Sequence, residues 1–432
     1  MRHIGRSARR VCGAIKRPAR QAVFFIFILA SLARVVYSQR LPGGEESISN
    51  PLAGLSESPT AAADEPAEAS SEAQTNRCNG PSGEWLARLV ADLRQQNKLV
   101  GLGAVVMVDG QVVATAVDGE RKLGSGVSVE LGDRWHIGSV TKSVTATMIA
   151  RLVESGKMQW SDTIGARFPN AAVHDDWKRA TLAQLLTHTA GAPANFPMWV
   201  LLVRPAIGPE CTKKRHEAVM NVIAQKPVSP PGQKYAYSNV GYTIAAAMAE
   251  MATGVSWEDL VRREVFEPLA LESAGFGPPK SPDDTLPQPR GHLRTRDRKT
   301  SVSDNSDITP IIGPAGTVHM TLGDLGTYAT EHLRGELGTG NLLSTETYRR
   351  LHAPNLENYG YGWVMKKPTD DLPYTTYWHN GSNTMWYALA TFIPDKHMAV
   401  AVTSNDCDIS QAQSAAWSIV QASAKQFNAQ GE

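Results

Sequence analysis

The folded part of the chain begins with a helix followed by a hairpin, and it ends with the same two elements in reverse order. After Gly83, apolar residues fall at helical spacing, and two short apolar runs, 104–108 and 111–116, follow. Asp109-Gly110 separates these runs, and Asp-Gly at a two-residue connection is a strong hairpin signal. These residues predict one helix and then two antiparallel strands.

The end of the chain supplies the matching elements. Apolar runs at 385–393 and 398–403 flank a short turn, and an Ala-rich helical stretch, 410–427, follows. A chain that begins helix–hairpin and ends hairpin–helix favours one sheet assembled from both ends. The pattern therefore predicts an α+β fold. We expect a central antiparallel sheet built from both chain ends and flanked by helices, plus a mostly helical lobe formed by the residues between them.

Other signals place helices in the middle of the chain. Residues 140–154 and 242–253 are each followed by a glycine stop, which is the usual end of a helix. Thr321 and Asp324 form a capping-box pattern at the start of another helix. Residues 277–310 are polar and Pro-rich without periodicity, which predicts a surface excursion or part of a substrate rim.

The N-terminal residues have the features of an export signal and a tether. Basic residues lead into an apolar run at 22–33, which is too short to span a bilayer but suits a signal peptide. We interpret residues 1–38 as a signal peptide cleaved after Ser38, with an uncleaved N-terminal anchor as the alternative. Residues 39–77 are rich in Ala, Ser, Glu and Pro and predict a disordered linker. Residues 78–432 form the predicted functional domain, which we expect in the periplasm or outside the cell.

Charge and cysteine content argue against two classes of function. The formal net charge is +1, and removal of the eight basic residues of 1–38 leaves −7, a sign unsuited to binding nucleic acid. Cys78, Cys211 and Cys407 follow the signal, so one disulfide is possible and its pair stays open. No C-x-x-C, H-x-H or H-E-x-x-H motif occurs, so we expect no metal site and no cofactor.

The first chemical motif is Ser139-Val140-Thr141-Lys142. A serine at the mouth of a helix and a lysine three residues later share one helix face. Burial of that helix would desolvate Lys142 and lower its pKa from about 10.4, which makes lysine a base near neutral pH. The motif therefore indicates a serine nucleophile with a lysine base.

Two further motifs complete the pattern. Tyr237-Ser238-Asn239 offers a phenol that can pass a proton beside a lysine and an amide that both donates and accepts. His379-Asn380-Gly381 precedes Ser382, and a glycine there lets substrate approach the strand closely. The Ser382 N–H can then pair with the Ser139 N–H as an oxyanion hole.

These three motifs in this order resemble those of the serine penicillin-recognising superfamily. That superfamily includes penicillin-binding proteins, D-alanyl-D-alanine carboxypeptidases, class C β-lactamases and related esterases, and its motifs include S-x-x-K. The similarity covers about 83–427, and shorter phrases support the class C-like branch: 185–191 (LLTHTAG), 314–316 (PAG) and 359–363 (YGYGW).

The resemblance implies a role for each site residue. Ser139 is the nucleophile that forms an acyl-enzyme, and Lys142 with Tyr237 shuttles its proton. Asn239 orients the substrate amide, and the Ser139 and Ser382 N–H groups form the oxyanion hole beside Gly381. The implied fold is β-lactamase/transpeptidase-like.

One position departs from the β-lactamase pattern. His379 stands where those enzymes usually have lysine, and a mostly neutral imidazole is a poorer anchor for a β-lactam carboxylate. We therefore expect an exported serine hydrolase that cleaves D-alanyl-type peptides, amides or esters. The alternatives are a β-lactamase or a non-catalytic, penicillin-binding-like scaffold.

The expected partner is a small-molecule or peptide acyl substrate, and the expected oligomeric state is a monomer. We expect contact with the membrane only through an uncleaved N-terminal segment.

Overall fold

The structure is a computed structural model that describes residues 78–280, 288–295 and 298–427. The predicted signal peptide (1–38) and linker (39–77) lie outside the described residues, so both stay predictions. Among the described residues, every helix is either too short or too polar to cross a bilayer.

Within the described residues, the central sheet has seven strands, and every neighbouring pair is antiparallel. The strands from the two chain ends meet in its middle, where Val108 pairs with Met398. This confirms the predicted α+β fold. The sheet strands are β1 Cys78–Asn79, β2 Gly101–Val108, β3 Gln111–Gly119, β9 Val364–Lys366, β10 Thr376–Gly381, β11 Tyr387–Ile393 and β12 Met398–Ser404. Their order across the sheet is β1-β3-β2-β12-β11-β10-β9.

The predicted hairpin joins β2 to β3. Asp109 and Gly110 both have positive φ, 50° and 78°, which is the geometry of a type I′ turn. Side chains then alternate across the sheet. Ala104 and Val106 belong to the core on the face covered by the first and last helices, α1 Gly83–Gln96 and α13 Ile409–Gln426. Both faces of β2 are buried, so its residues form a continuous apolar run.

A third helix, α11 Leu322–Leu337, covers the opposite face of the sheet. Gly326 is the contact point, because a Cβ there would lie 2.9 Å from Val105 Cγ1. As predicted, Thr321 caps the helix by accepting a hydrogen bond from the Asp324 N–H. The Asp324 carboxylate does not complete a capping box with the Thr321 N–H. It accepts from the Ser273 N–H instead.

The lobe between the two hairpins is mostly helical, as predicted. Its helices are α2 Thr141–Glu154, α3 Ile164–Arg167, α4 Asp175–Lys178, α5 Leu182–Leu186, α6 Met198–Leu201, α7 Pro209–Ile223, α8 Asn239–Thr253, α9 Trp257–Val261, α10 Gly313–Gly316 and α12 Thr345–His352. Two small sheets accompany them, one of β4 Arg134–His136, β5 Gly275–Phe276 and β8 Val318–Thr321, and one of β6 His292–Thr295 and β7 Arg298–Ser301.

Helix α8 begins three residues before the predicted start at 242. The Ser238 side chain accepts a hydrogen bond from the Gly241 N–H, so the helix begins directly after Ser238. The apolar pattern alone does not show this cap. Its consequence is that Asn239 becomes the first helical residue, which fixes the direction of its side chain.

Candidate active site

The site lies where the lobe meets the end of strand β10. Ser139 sits in a 3-10 turn, Gly138–Val140, that leads directly into α2. Its side chain is nearly covered, with 8% of the residue exposed. Lys142 lies one turn later on the same helix face, and its Nζ is 3.0 Å from Ser139 Oγ. The spacing of the first motif therefore produces the contact that the sequence predicts.

Lys142 is fully buried, and its surroundings determine its protonation state. Nζ lies 2.8 Å from Asn239 Oδ1 and 2.8 Å from the Ala315 carbonyl oxygen. Burial places the pKa of Lys142 well below its usual range, since the charged form loses its hydration. A neutral amine has two N–H groups and one lone pair. When Lys142 is neutral, its two N–H groups donate to the amide and carbonyl oxygens, which only accept. The lone pair then faces Ser139 Oγ, as a general base requires.

The second motif lines the other side of Lys142. Lys142 Nζ lies 4.7 Å from the centre of the Tyr237 ring. Asn239 is engaged at both ends of its amide, because Oδ1 faces Lys142 and Nδ2 donates to Asn195 Oδ1 at 2.7 Å. In this structure Asn239 contacts Lys142 and Asn195; its role in orienting the substrate amide stays a prediction.

The third motif brings a strand end against the nucleophile turn. A Cβ on Gly381 would lie 2.7 Å from the Val140 N atom and closer still to Ile137 O and Ser139 N. A Cβ on Gly138 would likewise lie 2.6 Å from the Gly381 carbonyl carbon. Two glycine backbones thus pass each other where no side chain fits. The crossing brings the Ser139 and Ser382 segments together, as the oxyanion hole requires.

His379 is buried, with 2% exposed, and both of its ring nitrogens are occupied. Nδ1 lies 2.5 Å from the Asn380 carbonyl, so it must carry the proton. Nε2 then accepts from the Tyr359 hydroxyl at 3.1 Å. Burial lowers the pKa of His379 to about 3, since the charged imidazolium would lose its hydration. The imidazole is therefore neutral throughout the physiological pH range.

Sequence reasoning missed three contributors to the site. The Ala315 carbonyl accepts from Lys142, and the Tyr359 hydroxyl holds His379. His188 accepts from the Ser238 N–H through Nδ1 at 3.1 Å and so holds the second motif in place. All three belong to phrases that support the resemblance, 314–316, 359–363 and 185–191, but their contacts are long-range and leave no local pattern.

One group among the described residues has metal-ligand atoms close together: Asp406, Cys407 and Asp408, whose candidate atoms all lie within 4.8 Å. The group already holds a cation, since Lys299 Nζ lies 2.7 Å from Asp406 and 3.0 Å from Asp408. Burial, with added repulsion from these two carboxylates, raises the pKa of the Cys407 thiol to about 12, so this thiol is protonated at neutral pH when Lys299 is the cation present. We interpret this group as an ion-pair cluster.

The fold and the serine–lysine pair define a class of protein, the serine hydrolases of β-lactamase fold. Comparison with known proteins places the chain more narrowly. The sequence model of the Beta-lactamase family matches residues 86–424, and the chain belongs to this family.

Individual relatives support this placement. Penicillin-binding protein 4 of Amycolatopsis lactamdurans is 27% identical over 74% of this chain and 84% of its own. The D-alanyl-D-alanine-carboxypeptidase/endopeptidase AmpH of Escherichia coli (strain K12) is 24% identical over 62% of this chain and 70% of its own. The octameric penicillin-binding protein homologue from Pyrococcus abyssi has a similar fold, with a TM-score of 0.65 at 21% identity over 80% of this chain and 78% of that chain.

Proposed function

We propose that the protein hydrolyses esters or D-alanyl-type amides through an acyl-enzyme on Ser139. The observation that carries this proposal is the 3.0 Å contact between Ser139 Oγ and the fully buried Nζ of Lys142, whose pKa burial lowers well below its usual range. Oγ attacks the substrate carbonyl while its proton moves to Lys142 Nζ. The carbonyl oxygen becomes an oxyanion between the Ser139 and Ser382 N–H groups.

The second half of the reaction returns the proton. As the tetrahedral intermediate collapses, the bond to the leaving group breaks, and the leaving nitrogen or oxygen takes a proton from Lys142 by way of Tyr237. Water then attacks the acyl-enzyme while Lys142 accepts its proton. Lys142 passes this proton to Ser139 Oγ as the ester bond breaks, so Oγ leaves as the hydroxyl. This step releases the acid product and regenerates the free enzyme, and water is the only other reactant.

Substrate preference follows from the neutral His379. A β-lactam carries a carboxylate, and a lysine in the third motif would place a fixed positive charge beside it. His379 supplies none, because its pKa is lowered to about 3 and both nitrogens are occupied. We therefore propose low or no turnover of cephalosporins and detectable turnover of short esters or D-alanyl amides. The names of the relatives, a penicillin-binding protein and a carboxypeptidase/endopeptidase, support this substrate class.

A labelling experiment tests the proposal. A fluorophosphonate and a labelled penicillin are applied to the purified wild type, to Ser139→Ala and to Lys142→Met. We expect wild-type protein to be labelled, Ser139→Ala to be blank, and Lys142→Met to react at least about 100-fold more slowly, since its base is gone. Labelling of Ser139→Ala at the wild-type rate would contradict the assignment. Absence of any wild-type labelling would favour the scaffold alternative, and strong cephalosporin turnover would favour a β-lactamase.

We also propose that the protein is exported. The basic residues before 22–33 and the small residues near Ser38 support this proposal. Fractionation of a host expressing the full chain, with mass spectrometry of the N-terminus, tests it. Export with cleavage gives an N-terminus at residue 39, whereas an anchor leaves the chain intact in the membrane fraction.

A further inference from the structure

A buried carboxylate behind the nucleophile turn has no part in the proposed chemistry. Asp307 is 5% exposed at its side chain and lies between two segments that flank Ser139. Its Oδ2 is 3.1 Å from His136 Nε2, and its Oδ1 accepts from Asn383 Nδ2 at 2.9 Å. His136 is fully buried and Asn383 is 2% exposed. One carboxylate thus contacts two chain segments that are distant in sequence.

The first contact leads to the Ser139 side of the oxyanion hole. The Gly138 N–H donates to His136 Nδ1 at 3.1 Å, so Nδ1 is the acceptor of the ring. The proton of the neutral imidazole then lies on Nε2, which donates to Asp307. Gly138 directly precedes Ser139 and has φ of +51°, so its backbone orientation sets the direction of the Ser139 N–H. Asp307 therefore holds this backbone through one imidazole.

The second contact leads to the Ser382 side. Asn383 donates to Asp307 and accepts from the Met385 N–H at 3.3 Å, while the Ser382 hydroxyl accepts from the Thr384 N–H at 2.8 Å. Thr384 has φ of +72°, a conformation that a β-branched residue adopts only when its surroundings hold it there. The Asn383 contact with Asp307 is one of these restraints. It ties the turn that carries the Ser382 N–H to the same carboxylate.

We propose that Asp307 is a positioning residue that sets the separation of the two oxyanion donors, acting through His136 on one side and Asn383 on the other. The inference rests on the proposed function, since it gives these donors their role. Asp307 does not touch the reacting atoms. Its charge is balanced by N–H donors, including the Ile308 N–H at 2.7 Å as well as His136 and Asn383. An aligned donor pair is needed only when the carbonyl oxygen becomes an anion, so the effect belongs to the transition state.

The test compares Asp307→Ala and Asp307→Asn with a matched control, Asp304→Asn. Asp304 lies in the same segment, but its side chain is 59% exposed. It makes a long ion pair with Arg290 and accepts a long hydrogen bond from the neighbouring Asn305 side chain. For each variant, kcat and KM for a short ester are measured together with the affinity for a boronic acid that mimics the tetrahedral intermediate. We expect Asp307→Ala to lose about 100-fold in kcat and similarly in boronate affinity, with KM within threefold. Asp307→Asn can accept a hydrogen bond from only one of its two partners, so its kcat and boronate affinity should fall between those of Asp307→Ala and the wild type. Asp304→Asn should match the wild type in both quantities.

A purely structural role predicts a different result. Asp307→Ala would then unfold at a lower temperature, while its folded fraction would keep wild-type kcat and boronate affinity, and this outcome would overturn the proposal. A rise in KM at constant kcat would also overturn it.

A second readout does not depend on turnover. In ¹H–¹⁵N NMR spectra of the full chain, Asp307→Ala should remove the His136 Nε2–H signal and shift the Ser139 and Ser382 amide signals. If those amides stay unshifted, the inference fails. If the amides shift but the wild type hydrolyses nothing, the proposed function fails and the positioning contact stands.

Discussion

Replacing Gly381 by alanine tests the oxyanion geometry with a single methyl group. Strand β10 ends at Gly381, where its backbone passes the turn that carries Ser139. The alanine Cβ would lie 2.7 Å from Val140 N and closer still to Ile137 O and Ser139 N. The φ angle of Gly381 is not positive, so alanine introduces no backbone strain of its own there. The expected effect is therefore purely steric, directed at the nucleophile turn.

The magnitude follows from these distances. A carbon atom packs at roughly 3.5 Å from its neighbours, so the strand and the turn must separate by at least about 0.8 Å at Val140 N. Oxyanion donors act at about 2.7–3.1 Å, and a shift of this size removes one of them. Loss of one donor costs about 2.7–4 kcal/mol, so we expect Gly381→Ala to lose about 100- to 1,000-fold in kcat.

The assay is ester turnover with active-site titration, and Gly132→Ala is the control. Gly132 is also a glycine outside the positive-φ positions, but a Cβ there would meet nothing within 4 Å. We expect the control to keep wild-type kcat. If Gly381→Ala is folded and turns over the ester within threefold of the wild type, then the crossing of these two glycine backbones does not position the donors. The oxyanion assignment would then be wrong.

Three further predictions concern stability and thiol reactivity. Arg215→Met should destabilise the protein by about 3–5 kcal/mol, because it removes the guanidinium that pairs with the buried carboxylates of Glu250 and Glu258. Arg88→Met, which removes an exposed ion pair, should change the free energy of unfolding by less than about 1 kcal/mol. Urea unfolding measures both variants, and equal effects would contradict the burial argument. Thermal stability should fall as the pH drops from about 6.5 towards 3, because the unfolded chain protonates its histidines in that window. In the folded chain, burial lowers the pKa of His379 to about 3 and of His319 to about 4, and both stay neutral over most of it. A flat melting temperature between pH 7 and pH 5 would argue against these buried neutral histidines. Cys211 should react slowly with a thiol reagent at pH 7, because burial raises its pKa to about 11, and rapid native-state labelling of this residue would contradict its placement.

Local patterns were enough to predict the framework of the sheet and the first motif. Strands β2 and β3 were found because their apolar runs flank an Asp-Gly turn, and both turn residues have positive φ. Ser139 and Lys142 were paired because residues three apart share a helix face, and their side chains lie 3.0 Å apart. In each case the interacting residues are close in sequence, so the periodicity carries the information.

The rest of the site arises from contacts between distant segments. Asp307 lies in the polar stretch 277–310, for which no periodicity predicted a structure, yet it contacts residues from two other segments. Ala315 contributes only a backbone carbonyl, which any residue carries. The neutral state of His379 depends on burial and on the Tyr359 hydroxyl, neither of which is visible in the motif itself. Such features require the packed fold and cannot be read from spacing.

The pairing of β2 with β12 has a consequence for how the chain is made. Val108 cannot pair until Met398 has been synthesised. At synthesis rates of about 5–20 residues per second, Met398 follows Val108 after roughly 15 to 60 s. Throughout that time one edge of an entirely apolar strand has no neighbour, and such an edge readily joins other chains. We therefore expect the central sheet to close only after β12 has been made, and until then this edge of β2 is open to pairing with other chains.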